Sequence, residues 1–336
     1  MQLDILMIQR AAIIGDGAMG TVCAMLLAGN GISVRLWGRN AERARQINVE
    51  RQNKQYLPGC VLSERIEAGT DPQWALEQAE VAVSAVPSQF IRSVWEKFAA
   101  DVPEHIPIIS TAKGIENDTL LRPTEVLAEL CGRRSYAMLS GPSIAHEIAA
   151  GLPCSVVMAC EDEATAKTTQ AAFNTDTFRV YTNTDLVGVE LASAMKNIIA
   201  IAAGIIDGLK LGDNAKAALL SRGLVEITRL GVAMGARTET FYGLAGVGDL
   251  VTTCISPYGR NRTAGQHIGQ GRSPAEVIQS TPSIIEGIPT TKSVVALAHR
   301  HKVVMPIVEA VGKVLFEGLP PSEAVHSLMT REPKAE

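Results

Sequence analysis

Hydrophobic and polar positions follow two rhythms along the chain. Residues 11–14 form a short apolar run that stops at Gly15-Asp16-Gly17-Ala18-Met19-Gly20, and residues 21–27 continue at helical spacing. Gly29-Asn30-Gly31 marks the end of that helix, residues 32–37 alternate as a strand does, and from Ala41 the chain turns charged and helical. These segments make one complete strand–helix–strand unit. The rhythm recurs, with a strand at 81–86 broken by Pro87, a helix at 88–98 and a strand at 106–111; residues 137–139 and 154–159 are further strand candidates. Strands alternating with helices predict a mostly parallel, doubly wound sheet.

From about Leu186 the rhythm changes. Residues 189–209, 214–234, 273–278, 290–299 and 306–316 all read as helices, with almost no strand signal between them. The expected architecture is therefore α/β: a doubly wound sheet domain over residues 1–188, then an all-helical C-terminal domain over 189–336. A length of 336 residues suits two such domains.

Composition narrows the function more than the fold. With 46% hydrophobic and 20% charged residues the chain can bury large cores, and 29 glycines beside 4% aromatics suit closely packed backbones. A net charge of −4 argues against a footprint for nucleic acid or an anionic membrane, which leaves a small molecule as the expected partner. Six cysteines without a C-x-x-C pair read as reduced thiols, and the first ten residues lack the basic start of a secretion signal, so a cytoplasmic protein is expected. The longest uncharged apolar run, residues 198–206, is shorter than the roughly 20 residues of a membrane span, so no membrane segment is expected.

Gly15-x-Gly17-x-x-Gly20 has the spacing of a dinucleotide fingerprint: a tight turn, an open approach for pyrophosphate, and close helix–strand packing above a helix N-terminus that favours an anion. Where an NAD-binding chain usually carries an acid after the second strand, this one reads Trp37-Gly38-Arg39-Asn40. An Arg there suits the 2′-phosphate of NADP, so NADPH is favoured, with NADH the open alternative. Ser110-Thr111-Ala112-Lys113-Gly114 places a Lys just beyond a strand end, where ligands of such sheets bind. Val86-Pro87-Ser88-Gln89 is placed alike and reads as a strand-to-helix turn with Ser88 as the cap.

The sharpest single residue is Lys196, set in the nearly all-apolar stretch 191–203. A helix of that kind is expected to be buried, and desolvation lowers an ammonium toward neutrality, which suits a general acid acting on a developing alkoxide. The glycine-rich Gly243–Thr253 region is expected to be a loop passing close to a ligand, with Asp249 orienting a cation or hydroxyl; Arg260-Asn261-Arg262 suits phosphate. No metal site is expected, because the histidines lack ligand spacing and no Cys/His cluster appears.

Taken together, these segments resemble the bacterial-type NAD(P)-dependent glycerol-3-phosphate dehydrogenases. The resemblance rests also on Tyr56-Leu57-Pro58-Gly59, Ser140-Gly141-Pro142-Ser143, Glu190 to Asn197, Gly246-Val247-Gly248-Asp249, Gly259 to Arg262 and Glu286-Gly287, in the family's order from residue 11 to about 315. It implies a Rossmann-type first domain, a helical second domain with the active site between them, and cytoplasmic homodimers. The implied reaction is reversible hydride transfer between NAD(P)H and dihydroxyacetone phosphate, giving sn-glycerol 3-phosphate for phospholipid synthesis. By position, Lys196 corresponds to the catalytic proton carrier. Lys113, Gly141, Ser143, Lys196, Asp249, Thr253, Gly259, Arg260 and Asn261 correspond to substrate contacts. Gly15, Gly17, Ala18, Met19, Gly20, Arg39, Lys113, Ala145, Arg260, Ile284 and Glu286 correspond to cofactor contacts. Two positions depart from the family: Ala18-Met19 replaces a Ser and an aromatic, and Gly259 replaces a phosphate-binding Ser. The rival readings are a hydroxyacid or ketopantoate-type reductase of the same plan, and a non-catalytic NADP sensor.

Overall fold

Eight strands in the order β3-β2-β1-β4-β5-β6-β7-β8 make the sheet of the first structural unit. They span Arg10–Ile14 (β1), Ser33–Trp37 (β2), Ile66–Gly69 (β3), Val81–Ser84 (β4), Ile108–Ser110 (β5), Tyr136–Ser140 (β6), Cys154–Cys160 (β7) and Phe178–Asn183 (β8). Every neighbouring pair is parallel except β6 with β7. The structure is a computed structural model and describes residues 8–281 and 283–333.

Central β1 is covered on both faces, and Ala11 to Ile14 are wholly buried; that is why it reads as an unbroken apolar run rather than an alternating one. Ile13 pairs with Leu36 on one side and Val83 on the other. The chain winds outward from β1 to β3 and then crosses back to β4, so the strand order reverses between β1 and β4. The carboxyl ends at such a reversal are where open sheets of this kind take ligands, and the glycine-rich turn follows β1 directly.

The two strands that the sequence pattern does not reveal, β3 and β8, are the sheet's edges. In β3, Glu67 is exposed between buried Ile66 and Ala68; in β8, Arg179 and Tyr181 alternate with buried Phe178 and Val180. The helix expected at 88–98 is instead a 3-10 turn, Ser88–Phe90, and a short helix, Ile91–Trp95. Beyond it the chain tightens into i−3 bonds at Lys97 and Phe98, and the Phe98 ring meets Trp37 edge-on, 5.0 Å between centroids. Ser88 is not the cap: Pro87 holds that position, and no side chain caps the turn.

The first unit comprises residues up to Ala112 together with Pro123–Leu186; the second comprises Lys113–Arg122 together with Val187 onward. The segment Lys113–Arg122 thus leaves the sheet and packs with the helices. It is held there by an ion pair between half-buried Arg122 and buried Glu190 and by the Ser293 hydroxyl, which bonds Asn117 Oδ1 at 2.8 Å.

The axis of the second unit is the helix Leu186–Gly208. By length and composition it could cross a membrane, but its most apolar stretch is entirely buried inside the structure, as befits a core helix. Its backbone touches that of the helix Arg260–Gly269: a Cβ on Gly204 would lie 1.9 Å from the Arg262 carbonyl oxygen, and one on Gly265 would lie 2.0 Å from that of Ile201. Behind it, buried Glu226 on the helix Gly212–Ala233 accepts the N–H groups of Ile307 (2.9 Å) and Val308 (3.2 Å), capping the helix Pro306–Phe316 from outside. Burial pushes the Glu226 carboxyl up to about 7, against those two bonds, which pull it down.

The glycine-rich segment expected as a loop is helical. Leu244–Gly248 forms a π-helical turn that runs straight into the helix Asp249–Ile255. Gly246 is there because a Cβ would lie 2.0 Å from the Phe241 carbonyl oxygen, a packing reason rather than a ligand approach.

Candidate active site

Gly15 sits in the left-handed region, φ +117°, and a Cβ there would lie 2.6 Å from the Ala85 carbonyl oxygen. A Cβ on Gly20 would lie 1.8 Å from the Gly15 carbonyl oxygen, so neither position takes a side chain. Gly17 differs: nothing lies within 4 Å of its Cβ position. It is the N-cap of the helix Ala18–Gly29, whose start has no side-chain cap and no acid in its first turn. Backbone N–H groups at Ala18 and Met19 therefore open the helix, and a close-approaching anion is what this cradle fits.

Asn53, which no sequence motif singles out, fastens the turn. Its buried Nδ2 donates to the Asp16 carbonyl oxygen and to Thr21 Oγ1, both at 2.8 Å, and Thr21 Oγ1 donates to the Gly17 carbonyl oxygen at 2.9 Å. A buried Asn one turn ahead of Tyr56-Leu57-Pro58 carries no periodic signal, so only packing exposes its role. Arg39 stands exposed after β2, and among the described residues it makes no hydrogen bond or ion pair. Gly141, at φ +134°, packs on Val156 Cα; Ser143 Oγ donates to its carbonyl oxygen at 2.9 Å, and Ala145 begins the short helix that follows. All of these belong to the first unit.

The second unit gathers a charged cluster. Lys196 is 4% exposed on its apolar helix, and its Nζ lies 2.7 Å from Asp249 Oδ1. Asp249, the buried first residue of its own helix, gives its other oxygen, Oδ2, to Lys113 Nζ, also at 2.7 Å. The Thr253 hydroxyl, one turn further on, bonds Lys196 Nζ as well. Burial pulls the Lys196 ammonium down to about 8; Asp249 opposes this and the positive Lys113 adds to it. A lysine poised there can exchange a proton near neutral pH.

Asn197 ties these parts together. Its Nδ2 donates to the Lys113 carbonyl oxygen at 2.8 Å, its Oδ1 accepts from Asn261 Nδ2 at 2.9 Å, and Asn261 Oδ1 accepts from the Gly287 N–H at 2.9 Å. The Asn261 side chain thus faces inward, into the scaffold. Arg260 faces out, exposed at the first turn of the helix Arg260–Gly269, with Nη1 on the Ile284 carbonyl oxygen at 3.0 Å. Gly259 is the N-cap and offers no side-chain cap, so the helix start keeps backbone N–H groups beside the Arg260 guanidinium. Glu286 is the N-cap of the helix Gly287–His301. Among the described residues no group of three His, Cys, Asp or Glu could hold a metal.

Both units match one family. Residues 10–166 match the N-terminal part of NAD-dependent glycerol-3-phosphate dehydrogenase and residues 185–326 match its C-terminal part. The chain belongs to this family. Among glycerol-3-phosphate dehydrogenases, the NAD(P)+ protein of Pelotomaculum thermopropionicum is 46% identical over 325 residues, 96% of this chain and 93% of that one. Its counterpart in Carboxydothermus hydrogenoformans is 47% identical over 330 residues, 97% and 98% of the two chains. The crystal structure of the glycerol-3-phosphate dehydrogenase of Coxiella burnetii superposes with a TM-score of 0.92 at 39% identity, covering 96% of this chain and 99% of that one. As expected of the family, the α/β sheet precedes a helical C-terminal part, and the chain is an NAD(P)-dependent oxidoreductase.

Proposed function

We propose that this chain catalyses the reversible reduction of dihydroxyacetone phosphate to sn-glycerol 3-phosphate, with NADPH the favoured cofactor and NADH the second. One observation carries the reading: a single buried carboxylate, Asp249, bonds two ammonium groups, Lys113 and Lys196, in the unit that also carries Arg260 at an uncapped helix start. The first arrangement suits a ketone oxygen and the second a phosphate.

The bound nicotinamide supplies the hydride. Lys196 holds the proton on Nζ and passes it to the carbonyl oxygen as negative charge builds there. The Lys113 ammonium stabilises that oxygen. Asp249 holds both Nζ atoms, and the Thr253 hydroxyl fixes Lys196 from a second direction. The Arg260 guanidinium and the first N–H groups of its helix bind the phosphate, fixing the ketone's orientation before reaction. In the oxidation direction the neutral Lys196 amine takes the proton back. On the first unit, the turn Gly15–Gly20 would hold the pyrophosphate and Arg39 the 2′-phosphate, and Gly141, Ser143 and Ala145 keep the contacts that the resemblance assigns them, as Ile284 and Glu286 do on the second unit.

We place the protein in the cytoplasm, as a homodimer supplying glycerophospholipid synthesis; six free cysteines support the reducing compartment. The test is loss of NADPH absorbance on adding dihydroxyacetone phosphate, run beside NADH and beside ketopantoate. Turnover of the keto phosphate supports the reading, and turnover of ketopantoate alone overturns it. Light scattering that returns a monomer mass would remove the dimer.

A further inference from the structure

NAD-binding sheets of this type carry an acid about 20 residues beyond the fingerprint, and it hydrogen-bonds the 2′-OH of the adenosine ribose. Here the end of β2 reads Gly38-Arg39, with no acid. The side chain missing at Gly38 is replaced from across the turn. A Cβ built on Gly38 would lie 2.2 Å from Asp16 Oδ2 and 2.3 Å from its Cγ, so the Asp16 carboxylate fills the space in which an acid on β2 would begin.

That carboxylate is held in place. Arg43 Nε donates to Asp16 Oδ2 at 2.7 Å, the Arg43 guanidinium lies 4.8 Å from the centre of the Tyr56 ring, and its Nη1 donates to Gln55 Oε1 at 2.9 Å. Among the described residues nothing bonds Asp16 Oδ1, and the side chain is 13% exposed, so this oxygen stays available to a ligand.

We propose that Asp16 is the ribose-facing carboxylate of this chain, accepting a hydrogen bond from the 2′-OH of NADH, while Arg39 takes the 2′-phosphate of NADPH. The two cofactors differ only at that atom, and the chain offers one group to each. Arg43 balances the charge of Asp16, so a 2′-phosphate meets an ion pair rather than a bare carboxylate. The inference rests on the cofactor assignment above and names the residues that divide it.

The test is a fluorescence titration of NADH and of NADPH against the full chain without substrate, so it stands whether or not dihydroxyacetone phosphate is turned over. Asp16→Asn should weaken NADH about tenfold, the loss of one charge-assisted hydrogen bond, and leave NADPH unchanged or tighter. Arg39→Ala should weaken NADPH and spare NADH. In the double variant Asp16→Ala/Gly38→Asp the carboxylate returns to β2, and NADH binding should recover relative to Asp16→Ala. Equal weakening of both cofactors by Asp16→Asn, unchanged NADH binding, or no recovery in the double variant would overturn the proposal.

Discussion

Lys196 and Asp249 meet at 2.7 Å, both buried, and the same carboxylate also carries Lys113. One negative charge is thus divided between two positive ones. The cluster keeps a net positive charge where a ketone oxygen turns negative, and desolvation pulls the Lys196 ammonium down to about 8.

Removing that ammonium should cost turnover and little else. Lys196→Ala is expected to lower kcat by about 10²- to 10⁴-fold, the usual range for a general acid. Cofactor binding, followed by nicotinamide fluorescence, should be unchanged. Near-normal turnover would end the role given to Lys196.

The direction of reaction sets the sign of the pH dependence. Reduction needs the charged form, so its kcat/KM should fall as pH rises through about 8, whereas glycerol phosphate oxidation should gain over the same range. Asp249→Asn removes the charge that holds the Lys196 value up, so the limb should move to lower pH. Rate profiles of both directions test this, and a reduction rate flat up to pH 10 would refute it.

Two glycines of one turn should fail differently. Gly20→Ala drives a methyl into the Gly15 backbone and should lower the melting temperature. Gly17→Ala meets nothing within the protein, so its stability should hold while cofactor affinity drops, because the methyl stands where the pyrophosphate approaches. Calorimetry with a cofactor titration separates the two.

Glu226 should make the fold less stable as pH rises. Its folded value, about 7, lies above the ordinary carboxyl value of 4.5, so the folded state binds the proton more tightly. That stability is complete below about 4.5 and is lost as pH rises through about 7, on the order of 3 kcal/mol in all. Glu226→Gln still offers an acceptor to Ile307 and should flatten this part of the curve. Denaturant unfolding from pH 4 to 8 measures it, and identical slopes for both proteins would count against it.

The residues that bear chemistry were legible where their type clashed with their surroundings. Lys196 stands out as a charge in an apolar helix, and Gly15–Gly20 as a turn between strand and helix. Edge strands β3 and β8 were not legible, because one polar face erases the apolar run. Nor was the helical form of 244–255, since its glycines signal a loop while tertiary packing on Phe241 decides otherwise. Asn53, Asn197 and the Asp16–Arg43 pair act through partners 27 to 84 positions away; at the upper end the pair is Asn197 and Lys113. No local pattern announces such contacts.

The backbone contact at Gly204 and Gly265 acts as a ruler. Two helices that touch main chain to main chain have no side-chain rotamers between them to absorb a change in spacing. The helix carrying Lys196 and the helix that begins at Arg260 are therefore set at one separation. For the activity proposed here, that separation reads the length of the substrate from its phosphate to its carbonyl. A keto phosphate one carbon longer presents its oxygen beyond the reach of Lys196, and should compete for binding while being reduced poorly.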